Sequence, residues 1–339
     1  MRVRFWGVRG SLPVPGARTE RYGGNTSCVE VTSASGTRII IDGGTGIRRL
    51  GKDLMRAEFE SGKGQAHILI SHTHWDHIQG LPFFSPFYRG GNRLFVYARQ
   101  RDDQNLRSVF ASQADAPFFP VSFDRTRASV AFRELHDGAK FEIEDMQVST
   151  TRLNHPHVAT AYAISADGAR VAYIADTAPF TDILFGQEFL SGPPSQHTQL
   201  SRTDKTKLKA MATAVVRLCE GADLVIYDTM YTADEYRQYP HFGHSRPSDA
   251  ITVCHQAGVK TLALFHHAPD RSDIEVDTNE YLWITLCPAS VQIADVQPVG
   301  PGRSRGRQRR LERGCRLFEY FVHSGSSAGK CRQLVPGRS

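Results

Sequence analysis

Short runs of apolar and β-branched residues recur along the chain, and each run ends at a polar residue. Six of these runs have the length and composition of buried strands. They span residues 37–41, 66–70, 148–153, 171–175, 224–227 and 261–265. The polar residues that follow them include Asp42, His72, His155, Asp176, Asp228 and His266. Strand ends that meet at one edge of a sheet commonly surround a ligand, so the pattern predicts a functional site at that edge.

Apolar residues at helical spacing lie between the predicted strands. Three segments show this spacing: Ile47, Leu50 and Leu54; Leu208, Met211, Val215 and Leu218; and Ala250, Val253 and Ala257. The third segment has a start signal at Ser248 and Asp249 and an end signal at Gly258. Strands that alternate with helices in this way predict a layered α/β fold.

The predicted elements indicate one domain over residues 1–297, followed by a basic and poorly ordered tail over residues 298–339. Within the domain, residues 181–207 contain a Gly-Pro-Pro stretch and are expected to form an inserted loop or lid. The 339 residues suffice for one large α/β domain with a substantial core.

The positive charge of the chain is concentrated in the tail. Residues 301–339 contain nine Arg and one Lys against two Glu, a balance of +8. Residues 1–300 contain 31 basic and 33 acidic residues, so the net charge of +6 does not describe the body of the protein. An Arg-rich run of this kind is either a solvated extension or a surface for nucleic acid and other anions.

The composition, with 40% hydrophobic and 22% charged residues, is that of a globular protein. No apolar run reaches the roughly 18 residues that a membrane span needs. The N-terminus alternates like a strand and lacks the apolar core of a secretion signal. The six cysteines form no CxxC pair and are expected to be reduced thiols. We therefore expect a cytoplasmic protein with no membrane partner.

The densest group of candidate ligands follows the second predicted strand. His72, His74, Asp76 and His77 lie within six residues of one another. Imidazole and carboxylate are the usual ligands of zinc and related divalent metals, and alternating histidines on an extended segment can present both rings to one ion. The segment therefore predicts a metal site.

These four residues match the HxHxDH signature of the metallo-β-lactamase superfamily, which the chain resembles over roughly residues 1–275. The resemblance implies a four-layer αββα sandwich with a two-metal site at one edge. It implies further ligands after later strands, in the places occupied by His155, Asp176 and His266. The implied ligands are His72, His74 and His155 for the first metal, Asp76, His77 and His266 for the second, and Asp176 as the bridge between them.

A second motif narrows the resemblance to one branch. Gly243-His244-Ser245, followed by a predicted helix and the strand that ends at His266, is similar to the phosphodiesterase branch that contains ribonuclease Z and phosphoribosyl cyclic phosphodiesterases. In that branch the histidine of the His-Ser pair lies beside the leaving oxygen. The resemblance implies that His244 contacts the phosphate and protonates the departing alkoxide. A structural histidine that caps the helix is the alternative.

The expected cofactors are two divalent metal ions: zinc first, with manganese or iron as alternatives because the same ligands serve all three. Two such ions neutralise a phosphodiester, lower the pKa of a shared water toward about 7 and hold the attacking and leaving oxygens. Asp76 can bind one ion and also accept a proton from that water. Arg9 and Arg246 could contact the anion, although a solvated surface position is the commoner role of an arginine.

Three assignments have close competitors in the sequence. Asp228 also ends a strand, but Asp176 is preferred as the bridge because its position after His155 matches the superfamily order. His267 differs from His266 by one residue, and the strand count favours His266. Asp42 is expected to orient a ligand histidine rather than to bind a metal.

The predicted function is that of a dinuclear metal-dependent hydrolase that cleaves a phosphodiester in a cyclic nucleotide or another small cyclic phosphate. The alternative is an RNA-processing endoribonuclease of ribonuclease Z type, in which the basic tail would bind RNA. The sequence shows no Lys-rich insertion that matches the arm with which those enzymes hold transfer RNA. Hydrolysis of an ester, thioester or lactone by the same metals is a third hypothesis. The sequence does not determine the oligomeric state, and a homodimer is one possibility.

Overall fold

All six predicted strands are present in the computed structural model. It describes residues 1–101, 103–186 and 200–278, together with the backbone of strand segments at 292–293, 298–299 and 317–321. Within these residues, no helix is long and apolar enough to cross a membrane. Three of the cysteines, Cys28, Cys219 and Cys254, are buried free thiols, as the sequence predicted for them.

Two mixed β-sheets form the centre of the fold. In spatial order, the first sheet consists of β14 (Pro298–Val299), β15 (Leu317–Phe321), β1 (Arg2–Gly7), β2 (Cys28–Thr32), β3 (Arg38–Ile41), β4 (Gln65–Ile70), β5 (Arg93–Arg99) and β6 (Ser129–Leu135). The second consists of β13 (Gln292–Ile293), β12 (Thr261–Phe265), β11 (Leu224–Asp228), β10 (Ala169–Ile174), β9 (Thr160–Ala166), β8 (Met146–Arg152) and β7 (Lys140–Ile143).

Six α-helices accompany the sheets in the described parts of the chain. They are α1 (Gly46–Leu54), α2 (Trp75–Ile78), α3 (Leu106–Ser112), α4 (Arg202–Cys219), α5 (Ala233–Gln238) and α6 (Pro247–Ala257). The three predicted helices correspond to α1, α4 and α6. Helix α6 begins at Pro247, one residue before the predicted start signal, and ends where Gly258 adopts a left-handed conformation with φ of 64°.

The alternation of side chains along the strands explains the layers. Ile39 and Ile41 of β3 pack in a core that residues of both sheets share, whereas Ile40 packs with Ile47 and Leu50 of α1. Successive strand residues point to opposite faces, so a strand that is apolar at every position is buried on both sides. The first sheet is therefore covered by α1 on its outer face.

Helices α4 and α6 cover the second sheet in the same manner. Val215 and Leu218 of α4, with Val253 and Ala257 of α6, belong to the core that also contains Val225 of β11. The order of layers is helix, sheet, sheet, helix, which confirms the predicted αββα sandwich.

Strand direction brings the candidate residues to one edge of this sandwich. β3 runs parallel to β4, and β10, β11 and β12 run parallel to one another. β8 points the same way as β10, because both pair antiparallel with β9. Parallel strands end at the same edge of a sheet, so their following loops converge there.

The predicted insertion and tail are only partly described. Helix α4 starts at Arg202, so the last residues of the predicted loop at 181–207 are helical, while residues 187–199 lie outside the described chain. Within the predicted tail, β15 pairs antiparallel with β1, and β14 pairs with β15. The rest of residues 298–339 lies outside the described chain, so the domain boundary and the order of the tail stay predictions.

Arg9 is fully buried, which differs from the solvated position that is commoner for arginine. Its guanidinium donates hydrogen bonds to the carbonyl oxygens of Gly23 (3.1 Å) and Arg271 and to the carboxylate of Asp273 (2.9 Å). The backbone of Arg9 also forms a β-bridge with His267, the second residue after β12. Arg9 therefore fastens the loop after β1 to the segment after β12.

We predict that Arg9→Met lowers the free energy of unfolding by about 3 kcal/mol, because it leaves two buried carbonyls without their donor and removes the charged partner of Asp273, which keeps backbone N–H donors such as that of Arg21. Urea denaturation measures the change. Arg18→Met is the matched control, since Arg18 is largely exposed and pairs only with the exposed Glu275 at 3.6 Å. Equal stability of the two variants would contradict a structural role for Arg9.

Candidate metal centre

The loop after β4 is held by Asp42, the residue that follows β3. The Asp42 carboxylate accepts hydrogen bonds from the backbone N–H of Ser71 (2.7 Å) and from its hydroxyl (2.9 Å). It also accepts one from Nδ1 of His77 (2.8 Å) and one from the hydroxyl of Tyr173 (2.8 Å). Asp42 therefore orients His77, as the sequence predicted, and it reaches this position from a left-handed backbone with φ of 61°.

A short helix determines which way the side chains of the candidate ligands face. His74 is extended, with ψ of 152°, and α2 begins at the next residue. Asp76 and His77 thus lie in the first turn of α2, whereas His72 and His74 lie in the extended segment before it. The change from extended to helical backbone separates the four residues into two pairs.

The first pair joins His155 and Asp176. Nδ1 of His74 lies 3.1 Å from Nε2 of His155. The Asp176 carboxylate lies 3.6 Å from Nε2 of His72 and 3.8 Å from Nε2 of His155. One ligand atom from each of these four residues lies within 4.8 Å of the others.

The second pair joins His266 and the same aspartate. Asp176 lies 3.2 Å from Nε2 of His77 and, through its other oxygen, 3.2 Å from Nε2 of His266. The Asp76 carboxylate lies 3.1 Å from His266 and 3.4 Å from His77. Asp76, His77, Asp176 and His266 again place one ligand atom each within 4.8 Å of the others. Asp176 is thus shared by both groups.

The donor atoms fit two divalent cations. Nitrogen ligands about 2.0–2.1 Å from a tetrahedral ion lie roughly 3.3 Å from one another, close to the spacings within each group. Nε2 of His72 and one oxygen of Asp176 are buried and have no hydrogen-bond partner. Buried polar atoms rarely stay unpaired, so these two atoms indicate a ligand that the protein itself does not supply.

Hydrogen bonds from Nδ1 of His155 and His77 also leave Nε2 of each ring available to a metal. His155 donates from Nδ1 to the carbonyl of Gly243 (2.8 Å), and His77 donates from Nδ1 to Asp42. In each ring Nε2 is the nitrogen that faces Asp176. Metal-binding histidines commonly donate their second N–H to a carbonyl or a carboxylate in this way.

The two groups differ in charge. Burial lowers the pKa of His72 and His155 well below the usual range and that of His74 to about 4, so these imidazoles are neutral and keep a lone pair at neutral pH. Burial opposes protonation of His266 as well, but Asp176 and the hydrogen bond with Asp76 raise its pKa to about 9.

The same opposition between burial and neighbouring charges sets the pKa of His77 and Asp76 in the second group. Burial disfavours charge on His77, yet Asp176, Asp76 and Asp42 raise its pKa well above the usual range. Burial alone would raise the pKa of Asp76, but the charge of His77 and the bond with His266 lower it. The carboxylates of Asp76 and Asp176 in the second group need a positive charge nearby, and a divalent cation would provide it.

His244 lies at the margin of both groups. Nδ1 of its ring donates to the Asp228 carboxylate at 3.1 Å. Its ring stacks on that of His266, with centroids 5.0 Å apart, and lies 5.3 Å from that of His155. His244 does not begin α6, so the capping alternative does not describe it: Arg246 precedes that helix, and Asp249 accepts from the backbone N–H of Arg246.

Asp228 supports this histidine. Its carboxylate also accepts from the backbone N–H groups of Thr177 and Met230, each at 3.1 Å. Asp228, His244, Asp176 and His266 form a third group of neighbouring ligand atoms. Because the Asp228 oxygens are already engaged and Asp176 belongs to all three groups, the geometry favours Asp176 as the bridge.

The structure keeps three other histidine and arginine side chains outside the two candidate groups. His267 is buried, and its ring lies 6.2 Å from that of Tyr22. His157 is exposed and only touches the ring of His74, with centroids 5.9 Å apart. Arg246 forms a double hydrogen bond with Asp249. The roles of the seven implied ligands stay predictions, but the structure brings all seven together.

The sequence reasoning missed the contribution of the loop after β1. The backbone N–H of Ser11 donates to the Asp76 carboxylate at 2.7 Å. A Cβ atom at Gly10 would lie 2.4 Å from the His266 ring, so only glycine fits there. The available signal was a Gly-Ser pair that starts three residues after the end of β1, and it carries no chemistry of its own.

Comparisons with known proteins found proteins of similar sequence. Residues 37–189 match the family model described as "Beta-lactamase superfamily domain". Ribonuclease Z of Natronomonas pharaonis is 25% identical over 309 residues, which cover 83% of this chain and 92% of that protein. Ribonuclease Z of Geobacillus kaustophilus is 28% identical over 225 residues, covering 59% of this chain and 69% of that protein.

Solved structures show the same fold. The metallo-β-lactamase fold protein YhfI from Bacillus subtilis has a TM-score of 0.57 and 18% identity, covering 86% of this chain and 95% of its own. The short form of human tRNase Z has a TM-score of 0.54 and 19% identity, covering 80% of this chain and 95% of its own.

We predict that Asp176→Asn lowers the metal content per chain more than any other single ligand substitution, because Asp176 belongs to both groups. His74→Ala is expected to remove about one metal, since His74 belongs to the first group alone. Elemental analysis after reconstitution with zinc measures both values. His157→Ala is the matched control and should keep the native content. Full metal content in Asp176→Asn would contradict a bridging position.

Proposed function

We propose that this chain is a metal-dependent hydrolase of the metallo-β-lactamase superfamily and that it cleaves phosphodiester bonds in RNA. The observation that carries the proposal is the position of His244, which is held by Asp228 directly beside both groups of candidate ligands. A phosphodiester needs its negative charge neutralised and its leaving oxygen protonated, and this arrangement places groups for both tasks side by side.

The choice of RNA rests on relatives and on charge. Proteins named ribonuclease Z align with most of this chain and with most of their own length. Arg303, Arg305, Arg307, Arg309 and Arg310 form a run that suits a polyanion. RNA also agrees with the cytoplasmic location expected from the sequence. This substrate replaces the small cyclic phosphate as our first choice.

The residues of the chain divide the chemistry among themselves. Two divalent ions would be held by the seven candidate ligands, which are His72, His74, Asp76, His77, His155, Asp176 and His266. These ions would supply positive charge for the phosphate and would lower the pKa of a bound water. The three imidazoles of the first group suit zinc. Asp76, oriented by the N–H of Ser11, would accept a proton. Nε2 of His244 would donate one to the leaving oxygen, while the Asp228 carboxylate holds Nδ1 and so fixes the orientation of the ring.

A small phosphodiester is the second candidate, and a cavity beside the centre favours it. The cavity has a volume of about 340 Å³ and is lined by residues that include Ser11 and Met230. This volume is at the lower end of the roughly 300–1,000 Å³ range of small-molecule sites, so it could hold one nucleoside.

We predict that His244→Ala lowers kcat for bis(p-nitrophenyl) phosphate and for RNA by about 10²- to 10⁴-fold, the usual contribution of a general acid, and leaves metal content unchanged. Steady-state kinetics and elemental analysis on the same preparation measure both. His255→Ala, a change on the exposed side of α6, is the control. Native turnover in His244→Ala would show that this histidine is not the acid.

The substrate choice has its own test, which must keep β15 because that strand pairs with β1. We replace the five arginines at positions 303, 305, 307, 309 and 310 with glutamine instead of truncating the chain. We expect a higher KM for a structured RNA and a weaker dependence of binding on salt, with unchanged hydrolysis of bis(p-nitrophenyl) phosphate.

Two results would overturn the choice of RNA. One is that native protein cleaves 2′,3′-cyclic nucleotides but no RNA, which would support the second candidate. The other is RNA cleavage whose KM and salt dependence do not change when the five charges are removed.

A further inference from the structure

The cavity beside the metal centre is lined by two residues whose backbone N–H groups hydrogen-bond side chains of that centre. Ser11, whose N–H holds Asp76, and Met230, whose N–H donates to Asp228, both line it. Tyr231 follows Met230, and its ring lies edge-on to that of His244 with centroids 5.6 Å apart. A group that enters this cavity would therefore lie on the His244 side of the centre.

The wall of the cavity is aromatic. Tyr231, Tyr239 and Phe242 line it in succession, with centroids 6.2 Å apart for Tyr231 and Tyr239 and 6.0 Å apart for Tyr239 and Phe242. Tyr239 and Phe242 are 43% and 41% exposed, respectively. Large rings exposed at the mouth of a site offer flat surfaces on which another aromatic ring can stack.

The polar part of the lining excludes a phosphate. Glu235, Asp270 and Glu275 contribute carboxylates, and the single guanidinium, that of Arg271, is paired with Glu235. An anionic RNA backbone would be repelled from such a surface, whereas a neutral ring with N–H donors would not be. The negative charge of the lining thus favours the nucleobase of a nucleotide over its phosphate.

We infer that this cavity binds the nucleobase of the nucleoside whose oxygen leaves, stacked on Tyr239 and Phe242 beside His244. The inference rests on the proposed function, because only cleavage of a phosphodiester defines a nucleoside whose oxygen leaves. It adds a specificity element that lies outside the metal ligands and leaves the phosphate itself to the metal centre.

The test is equilibrium dialysis of adenosine against the full chain reconstituted with zinc. The double variant Tyr239→Ala/Phe242→Ala is expected to raise the Kd for adenosine by about 5- to 150-fold, the equivalent of one stacked base. The same variant should raise KM for the dinucleotide ApA more than it lowers kcat. Phe83→Ala removes an exposed aromatic ring that does not line the cavity and should leave the Kd unchanged.

Metal content and thermal stability of the double variant confirm that it is folded. If it cannot be purified, Tyr239→Leu/Phe242→Leu keeps the apolar volume without the rings. Native affinity for adenosine in the variants, or no adenosine binding by native protein, overturns the inference even when RNA is cleaved. Adenosine binding that the variants lose, in a protein that cleaves no phosphodiester, would instead reject the proposed function and keep the cavity assignment.

Discussion

The arrangement of the site depends on one buried carboxylate, that of Asp176. A carboxylate in this position costs several kcal/mol unless cationic groups compensate its charge. Asp176 lies within 4 Å of four histidine side chains from both candidate groups, and one of its oxygens lacks any hydrogen-bond partner. Residues that are distant in sequence converge on it because their strands end at the same edge of the sandwich.

The protein holds this edge in place with unusual backbone positions. Asp42 and His266 both have left-handed φ values, 61° and 60°, which cost free energy for residues other than glycine. Asp42 offsets that cost with hydrogen bonds to Ser71, His77 and Tyr173. Gly243 is also left-handed, and a Cβ atom there would lie 2.6 Å from the His155 ring. Strain and close packing are concentrated where the ligands need exact orientation.

Charge is distributed unequally around the centre. The histidine-rich groups would bind cations and so attract an anion, while the adjoining cavity carries carboxylates and aromatic rings. His244 lies between them and contacts both sides through His266 and Tyr231. A substrate with one anionic and one neutral aromatic part matches this division, and a nucleotide unit has these two parts.

The sequence pattern by itself determined the layered α/β class, the six strands and the polar residues at their ends, whereas the sandwich and the complete set of candidate ligands came from the resemblance to the metallo-β-lactamase superfamily. The pattern could do so because buried strands and helices leave a periodic pattern, and because His72 to His77 is too dense in ligands to be a chance loop. Only the tertiary structure decided the burial of Arg9, the bond from Ser11 to Asp76, and the pairing of Asp228 with His244. These contacts join residues 16 to 264 positions apart, and no local pattern records them. The cavity likewise depends on the tertiary structure, because its lining comes from three separate segments that meet only in the folded chain.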